Sequence, residues 1–155
     1  MSNTRTRYRE WLLAVIVLIV LIMLTVGAGE VLAENWAGWR GPNRNGVSRD
    51  TRVPLKWTAE KNVAWKTALP GSGISNPVVF DDRVYVTASD GKSLANLHVI
   101  CLDRDGGQVR WHQRLWGTAP TRYHGSKSSM ASPSPVTDGR HVWAFFGTGD
   151  VFCLD

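Results

Sequence analysis

The sequence has only two cysteines in 155 residues, and they do not form the closely spaced pairs that a zinc ribbon needs. Two cysteines are also too few for the disulfide framework of a small secreted domain. Cys101 and Cys153 occupy equivalent places in a repeated pattern, so we expect them in neighbouring sheets and beyond bridging distance. Both are predicted to be small, buried hydrophobic residues.

A catalytic or metal-binding constellation is also missing. The histidines show no metal-ligand spacing, and Gly71-Ser72-Gly73 lacks the third glycine and the strand–helix context of a nucleotide-binding fingerprint. The sequence shows no acid–base pair and no nucleophile triad. We therefore predict no catalytic residue and no metal site, with the histidines as structural or surface residues. They are His98, His112, His124 and His141.

Charge is scarce and mixed in sign: 20% of the residues are charged and the net charge is +5. A disordered chain would be richer in charge and poorer in apolar residues than the 43% found here. The basic excess is scattered rather than clustered, so we expect no nucleic-acid partner. Tryptophan, in contrast, is abundant: there are eight, and their positions carry most of the interpretation.

The first local signal is an uncharged run of 19 residues from Trp11 to Gly29. Its apolar residues follow no helical stripe, which is typical of a helix surrounded by lipid. Three arginines precede the run, and Val31-Leu32-Ala33 fits a cleavage site. Residues 1–33 are therefore predicted to be a signal peptide or a signal-anchor transmembrane helix.

The length of the run leaves these two alternatives open. As a helix it would span about 28 Å, close to a hydrocarbon core of about 30 Å, whereas the apolar part of a cleaved signal has only ~7–15 residues. The arginines favour a cytoplasmic N-terminus, so we expect the rest of the chain to be exported. It would be periplasmic or cell-envelope bound, anchored in the inner membrane by residues 11–29 if the helix is retained. The expected partners are the membrane, through this segment, and an envelope protein.

Short alternating apolar runs separated by Asp and Gly dominate the chain after residue 62, which predicts strands joined by tight turns. We found no convincing helix there, so the predicted fold class is all-β and antiparallel. Four consecutive strands are expected at Pro77–Phe80, Arg83–Thr87, Leu97–Asp103 and Val109–Leu115.

These runs recur along the chain. Residues 63–69 and 109–115 share the pattern Val-x-Trp-x-x-x-Leu, and Ile-Cys-Leu-Asp at 100–103 returns as Phe-Cys-Leu-Asp at 152–155. A four-stranded unit that recurs every ~40–50 residues is typical of a β-propeller. The matching pairs are 63–69 with 109–115, 77–85 with 135–143, and 100–103 with 152–155.

The order of the repeats predicts the domain organisation. After an N-terminal extension at 34–62, residues 63–155 begin with one outermost strand, continue through a full blade and end after three strands of the next. A closed ring needs at least ~4 blades. We therefore expect an incomplete propeller with one full blade and two partial ones, a fragment of an eight-bladed parent.

Residues 100–111 resemble the tryptophan-docking motif of pyrroloquinoline-quinone-like (PQQ-like) propeller repeats, whose pattern is small-x-Asp-x-x-Thr-Gly-x-x-x-Trp. Asp103, Gly107 and Trp111 match it in type and spacing. Cys101 takes the small position, and Gly106 replaces the usual Thr, which removes a hydroxyl from the turn.

Two partial copies of the motif flank the full one, with Trp65 before it and Cys153-Leu154-Asp155 after it. In such a motif the Asp bonds the turn amides, the Gly allows a positive φ, and the Trp packs between blades. The resemblance thus implies a structural docking set rather than a catalytic one. Its members are Cys101, Asp103, Gly107, Trp111, Trp65 and Asp155.

The PQQ-like family includes PQQ-dependent alcohol and glucose dehydrogenases and a non-catalytic subunit of the outer-membrane assembly machinery. Residues 35–48 also resemble the start of exported bacterial members of planctomycete type. Because the motif implies no chemistry, the resemblance favours a non-catalytic binding or scaffolding module at the cell envelope. The alternative is a fragment of a PQQ-dependent alcohol or sugar dehydrogenase with PQQ and Ca²⁺. Its site residues cannot be assigned in this sequence, so enzymatic activity stays open and no cofactor is assigned.

Two segments each have two alternative interpretations, one of which is a binding surface. The segment 116–134 is either a binding surface or a solvated insertion. Trp36, Trp39 and Arg40 are expected to cap the propeller through stacking and cation–π contact, or to form a platform for a saccharide or a quinone.

Overall fold

The computed structural model describes residues 9–11, 15–19, 34–51, 53–119, 124 and 127–155. The chain divides into two compact units, Met1–Leu32 and Ala33–Asp155. In the first unit, residues 9–11 and 15–19 are α-helical. The remainder of the predicted apolar helix, residues 12–14 and 20–29, and the expected cleavage site at 31–33 lie outside the described residues. Within the described part of the chain, we find no helix with the length and apolar character needed to cross a bilayer.

The second unit begins its regular structure with a four-stranded antiparallel sheet, sheet 1, in the order β1-β2-β3-β4. A tight turn at Asp81-Asp82 joins β1 to β2, a short 3₁₀ turn at Lys92–Leu94 precedes β3, and a turn at residues 104–106 precedes β4. This sheet confirms the four predicted strands, with β2 three residues longer than expected. The bounds are β1 Val78–Phe80, β2 Arg83–Asp90, β3 Asn96–Asp103 and β4 Val109–Trp116.

Sheet 2 has three antiparallel strands in the order β5-β6-β7. Its register places Trp143 opposite Cys153, as that of sheet 1 places Tyr85 opposite Cys101. The second sheet therefore repeats the pairing of β1, β2 and β3, as the sequence repeat predicts. The bounds are β5 Val136–Thr137, β6 Val142–Phe145 and β7 Val151–Leu154.

The two sheets share one hydrophobic core because successive residues of a strand point to opposite faces. Tyr85, Val99 and Cys101 of sheet 1 meet Val142 and Ala144 of sheet 2 in a single buried cluster. The opposite face of sheet 1 carries a second cluster, formed by Val84, Val86, Ile100 and Leu102, against which Trp65 packs. Sheet 1 is thus apolar on both faces.

One predicted strand has no ladder among the described residues. Residues 63–69, expected to be an outermost strand, form no ladder with another described strand. Side-chain contacts of Trp65 and Thr67 with the turn between β3 and β4 hold this segment instead. The described residues give a mostly β unit with stacked sheets of four and three strands.

Candidate functional site

The tight turn between β3 and β4, residues 103–108, is named here the docking turn. The Asp103 carboxylate accepts hydrogen bonds from the backbone N–H of Asp105 at 3.0 Å and of Gly106 at 2.8 Å. The Gly107 N–H donates to the Asp103 carbonyl at 2.9 Å. Asp103 therefore satisfies amides that the reversal of the chain would leave unpaired.

Arg110 lies beside this turn, and no sequence motif predicts its role. Its Nη2 is 2.6 Å from Asp103 Oδ2 and 2.7 Å from Asp82 Oδ2, so one guanidinium joins two turns of sheet 1. The hydrogen bond from Arg110 is the main reason why the pKa of each carboxyl is lowered. The position of Arg110 at the start of β4 predicts that it lies near the docking turn. The contact with Asp82 depends on the fold, which brings the β1–β2 turn beside Arg110.

Trp65 and Gly107 are brought into direct contact. Gly107 has a φ of 70°, and a Cβ built on it would lie 2.4 Å from the Trp65 ring atoms Cδ2 and Cε3. The Trp65 indole N–H donates to the Arg104 carbonyl at 2.7 Å, and the Thr67 hydroxyl donates to the Gly107 carbonyl at 2.6 Å. The Trp65 ring can therefore pack directly on the docking turn, because Gly107 has no side chain in the space that the ring occupies.

Trp111 and Cys101 face each other across β3 and β4. Trp111 lies against the shared core with its ring centroid 5.9 Å from that of Tyr85. A cavity of about 270 Å³ is lined by Trp111, Gln113 and residues 153–155. The last predicted site residue, Asp155, therefore lies beside the second tryptophan of the repeat, where it is exposed.

The two cysteines are free thiols in different environments. Cys101 is buried, and its burial raises the pKa of the thiol. Cys153 is exposed, so the prediction that both are buried is wrong for this residue. The reason is that Cys101 faces the core that the two sheets share, whereas Cys153 alternates with the core-facing Phe152 and Leu154 and lies on the opposite face of sheet 2.

A cluster that the sequence did not reveal joins His98, His112 and Asp90. His98 Nδ1 is 2.9 Å from His112 Nε2, and His98 Nε2 is 3.3 Å from Asp90 Oδ1. His98 is fully buried, whereas His112 is exposed. Burial, followed by the charges of His98 and Arg114, lowers the pKa of His112. Alternation on β3 and β4 allows the contact, but only the strand register brings the two rings together.

The N-terminal extension connects both sheets near its beginning. Trp36 exchanges two backbone hydrogen bonds with Val79 of β1, at 2.8 and 2.9 Å, and the Ala37 carbonyl accepts from the Thr137 N–H of β5 at 2.9 Å. Arg40 lies over the Trp39 ring, with its Cζ 4.6 Å from the centroid. The sequence suggested this cation–π pair but not the backbone connection.

The described part of segment 116–134 is not a uniformly solvated insertion. Residues 129–131 are buried, with Met130 and Ala131 in the shared core. Thr118 is fixed to Asp150 by its backbone N–H and its hydroxyl, at 2.9 and 2.6 Å. The part of this segment at residues 120–123, which includes Arg122 and Tyr123, lies outside the described residues.

A site for PQQ and Ca²⁺ would need acidic or amide side chains with free oxygen atoms. In the part of the chain that the structure describes, no group of three or more histidine, cysteine or acidic side chains could hold a metal ion. The carboxylates of Asp103 and Asp138 are engaged by backbone amides and by Arg110 or His141. These residues do not fit a Ca²⁺–quinone site.

Comparison with known proteins identifies one relationship. A family model described as outer membrane protein assembly factor BamB, a PQQ-like repeat family, matches residues 47–155. The match covers sheet 1, sheet 2 and the docking turn. Neither the curated proteins nor the solved structures gave a significant match.

Proposed function

Because the chain belongs to the PQQ-like repeat family described as outer membrane protein assembly factor BamB, we propose that it is a non-catalytic module that binds or scaffolds proteins at the cell envelope. Its two sheets would be consecutive blades of a propeller whose parent has eight blades. Export would follow from the apolar run at 11–29. The description of the family as an assembly factor supports a binding role.

The observation that carries this proposal is the engagement of the motif's polar groups inside the protein. Both carboxylate oxygens of Asp103 are used, one by turn amides and the other by Arg110. The indole N–H of Trp65 is likewise used by the Arg104 carbonyl. Groups that hold a turn in this way are not available to a substrate, so the most distinctive residues of the chain have a structural task.

Exposed apolar side chains of the N-terminal extension are the best candidates for contact with a partner. Leu55 is 91% exposed and Trp57 is 69% exposed, and Trp39 also faces solvent. Exposed tryptophan is a residue type enriched in protein interfaces, because it covers a large area with few rotatable bonds. We propose an envelope protein as the partner of this segment.

Site-specific photo-crosslinking in bacterial cells tests the binding role. A benzophenone amino acid at position 57 should give a discrete cross-linked species with an envelope protein. The same group at Lys92, an exposed residue of the 3₁₀ turn, is the matched control and should give none. Equal labelling at both positions, or recovery of the chain in the cytoplasmic fraction, would refute the proposal.

An activity assay tests the non-catalytic part separately. The purified full chain, mixed with PQQ, Ca²⁺ and an alcohol, should reduce an electron-accepting dye no faster than the mixture without protein. Turnover that depends on the chain would establish the dehydrogenase alternative instead.

A further inference from the structure

The outer edge of β4 is not covered by any described strand. β4 is the last strand in the order of sheet 1 and extends over eight residues, Val109–Trp116. In the propeller proposed above, β4 is the outermost strand of its blade, so its outer edge faces solvent whatever the number of blades. An exposed strand edge is a template for pairing with another extended segment.

The hydrogen bonds of sheet 1 determine which residues of β4 face outwards. The Gly117 N–H, directly after β4, donates to the Ala95 carbonyl at 2.8 Å. In an antiparallel pair, residues that bond the neighbouring strand alternate with residues whose backbone groups point away from it. His112, Arg114 and Trp116 therefore direct their backbone N–H and C=O groups away from β3. No described residue outside sheet 1 forms a backbone hydrogen bond with these three.

The side chains of the same three residues share one face of the sheet, because they are alternate residues of one strand. His112, Arg114 and Trp116, named here the outward row, are all exposed, Trp116 to 66%. Tryptophan and arginine are the residue types that most often dominate the binding energy of protein interfaces. A strand added to β4 would place every second side chain opposite the outward row.

The outward row lies in a part of the chain that has no acidic residue. Residues 106–137 contain four arginines and lysines and neither Asp nor Glu. Arg110 is paired with Asp82 and Asp103, whereas Arg114 forms no ion pair with a described residue. The unpaired positive charge of β4 is therefore that of Arg114, in the middle of the outward row.

This charge determines which occupant fits the edge. Two β4 strands paired with each other would bring their basic side chains together, and like charges on paired strands are destabilising. An acidic segment instead places carboxylates opposite His112 and Arg114, and an apolar side chain suits the position opposite Trp116. In an antiparallel partner strand, read from its N-terminus, the pattern is apolar-x-acidic-x-acidic.

We propose that the outer edge of β4 binds an extended acidic segment of an envelope protein as a fifth strand of sheet 1. The backbone groups of the outward row supply the hydrogen bonds, and the side chains of Arg114 and Trp116 select the sequence. This inference rests on the proposed binding role and assigns to it a second surface, separate from the N-terminal extension.

Fluorescence anisotropy with short labelled peptides tests the proposal on the full chain in a mild detergent, which accommodates the apolar run. In the acidic peptide, threonine alternates with one leucine and then two glutamates, and in the basic peptide lysine replaces both glutamates. The acidic peptide should bind at least about tenfold more tightly than the basic one. Equal binding, or no binding of either peptide, would mean that Arg114 only protects the edge from pairing, and would overturn the proposal.

Methyl groups on the peptide nitrogens distinguish strand addition from charge attraction. In the proposed register, the leucine and both glutamates exchange backbone hydrogen bonds with the outward row, whereas the threonine amides point away from β4. Methylation of the leucine and glutamate amides should abolish binding. Methylation of the threonine amides is the matched control and should leave the affinity nearly unchanged. If both methylated peptides bind alike, no strand is added and the proposal is wrong.

Charge reversal at position 114 tests the side-chain contact. Arg114→Glu should weaken binding of the acidic peptide about tenfold, because one attraction is lost and one repulsion is added. The same variant should bind the basic peptide more tightly than wild type does, a gain that a misfolded protein would not show. The control is Arg140→Glu, which changes an exposed arginine of the β5–β6 turn and should bind both peptides as wild type does. Equal effects of the two variants would place the peptide elsewhere.

Two further measurements distinguish other occupants of the edge. Light scattering that shows a dimer of the peptide-free chain, lost in Arg114→Glu, would assign the edge to a second copy. Anionic lipid vesicles that bind the wild type but not Arg114→Glu, in the absence of any peptide binding, would assign it to a lipid surface. Either result overturns the proposal. Cross-linking at position 57 without peptide binding would also overturn it, while leaving the proposed function intact.

Discussion

At the docking turn, single residues set both the backbone conformation and the space that is available to the neighbouring Trp65 ring. Gly107 has a positive φ, and the Trp65 ring lies where its Cβ would be. Asp103 and Arg110 hold the two sides of the same turn. The turn is therefore sensitive to substitutions that add even one methyl group.

Gly107→Ala should lower the free energy of unfolding by about 3 kcal/mol, since it adds both backbone strain and a clash with Trp65. The matched control is Gly46→Ala, whose φ of 77° is similar but whose Cβ would meet nothing within 4 Å. It should cost about 1 kcal/mol. Urea denaturation of both variants measures the difference, and equal losses would mean that Trp65 is not docked on Gly107.

Trp111→Ala should destabilise the protein by about 3 kcal/mol, because the ring packs on Tyr85 and the shared core. Trp116, the last residue of β4, is 66% exposed, so Trp116→Ala should change stability by about 0.5 kcal/mol or less. Thermal melts of the two variants test this, and comparable shifts would argue against docking of Trp111.

At the scale of elements, the β3–β4 pair contains a polar contact inside an otherwise apolar sheet. His98 is enclosed between Asp90 and His112, in register positions that are diagonal across two strands. Because burial disfavours an additional charge there, this part of the sheet should respond to pH.

The folded protein should lose stability as the pH falls from about 7.5 to 5.5. The pKa of His112 is lowered by folding, so the unfolded chain takes up the proton first, near pH ~6.5. The contribution of His112 is thus complete above this pH and declines below it. His112→Asn should flatten the decline in urea denaturation. The control is His141→Asn, which alters a histidine outside the cluster. This variant should retain most of the decline in stability at low pH.

On the scale of the whole molecule, the two sheets of residues 33–155 are held together by one core. Tyr85 and Val99 of sheet 1, Val142 of sheet 2 and Met130 of the connecting segment belong to the same buried cluster. Trp36 and Ala37 add backbone bonds to both sheets. Sheet 1 has a second buried cluster on its opposite face, whereas the buried residues of sheet 2 in the described clusters all belong to the shared core.

Residues 33–155 should therefore unfold in a single cooperative transition. In native-state hydrogen exchange, the slowest amides of β2 and of β6 should give the same free energy of opening, equal to that of global unfolding. Phe146→Ala, which opens a cavity in the shared core, should lower both by the same amount, about 3 kcal/mol. Exchange that protects β2 but not β6 would show that the sheets are independent units.

The sequence by itself determined the strands, the turns and their repetition, because these depend on local alternation and on residues such as Asp103 and Gly107 that suit a tight turn. It also identified the family, since the motif keeps its spacing. Tertiary structure alone decided the rest: that Arg110 joins Asp82 to Asp103, that His98 meets His112, and that residues 63–69 dock through side chains without a ladder. Those contacts depend on strand register and on side-chain packing, and both are settled by residues distant in the chain.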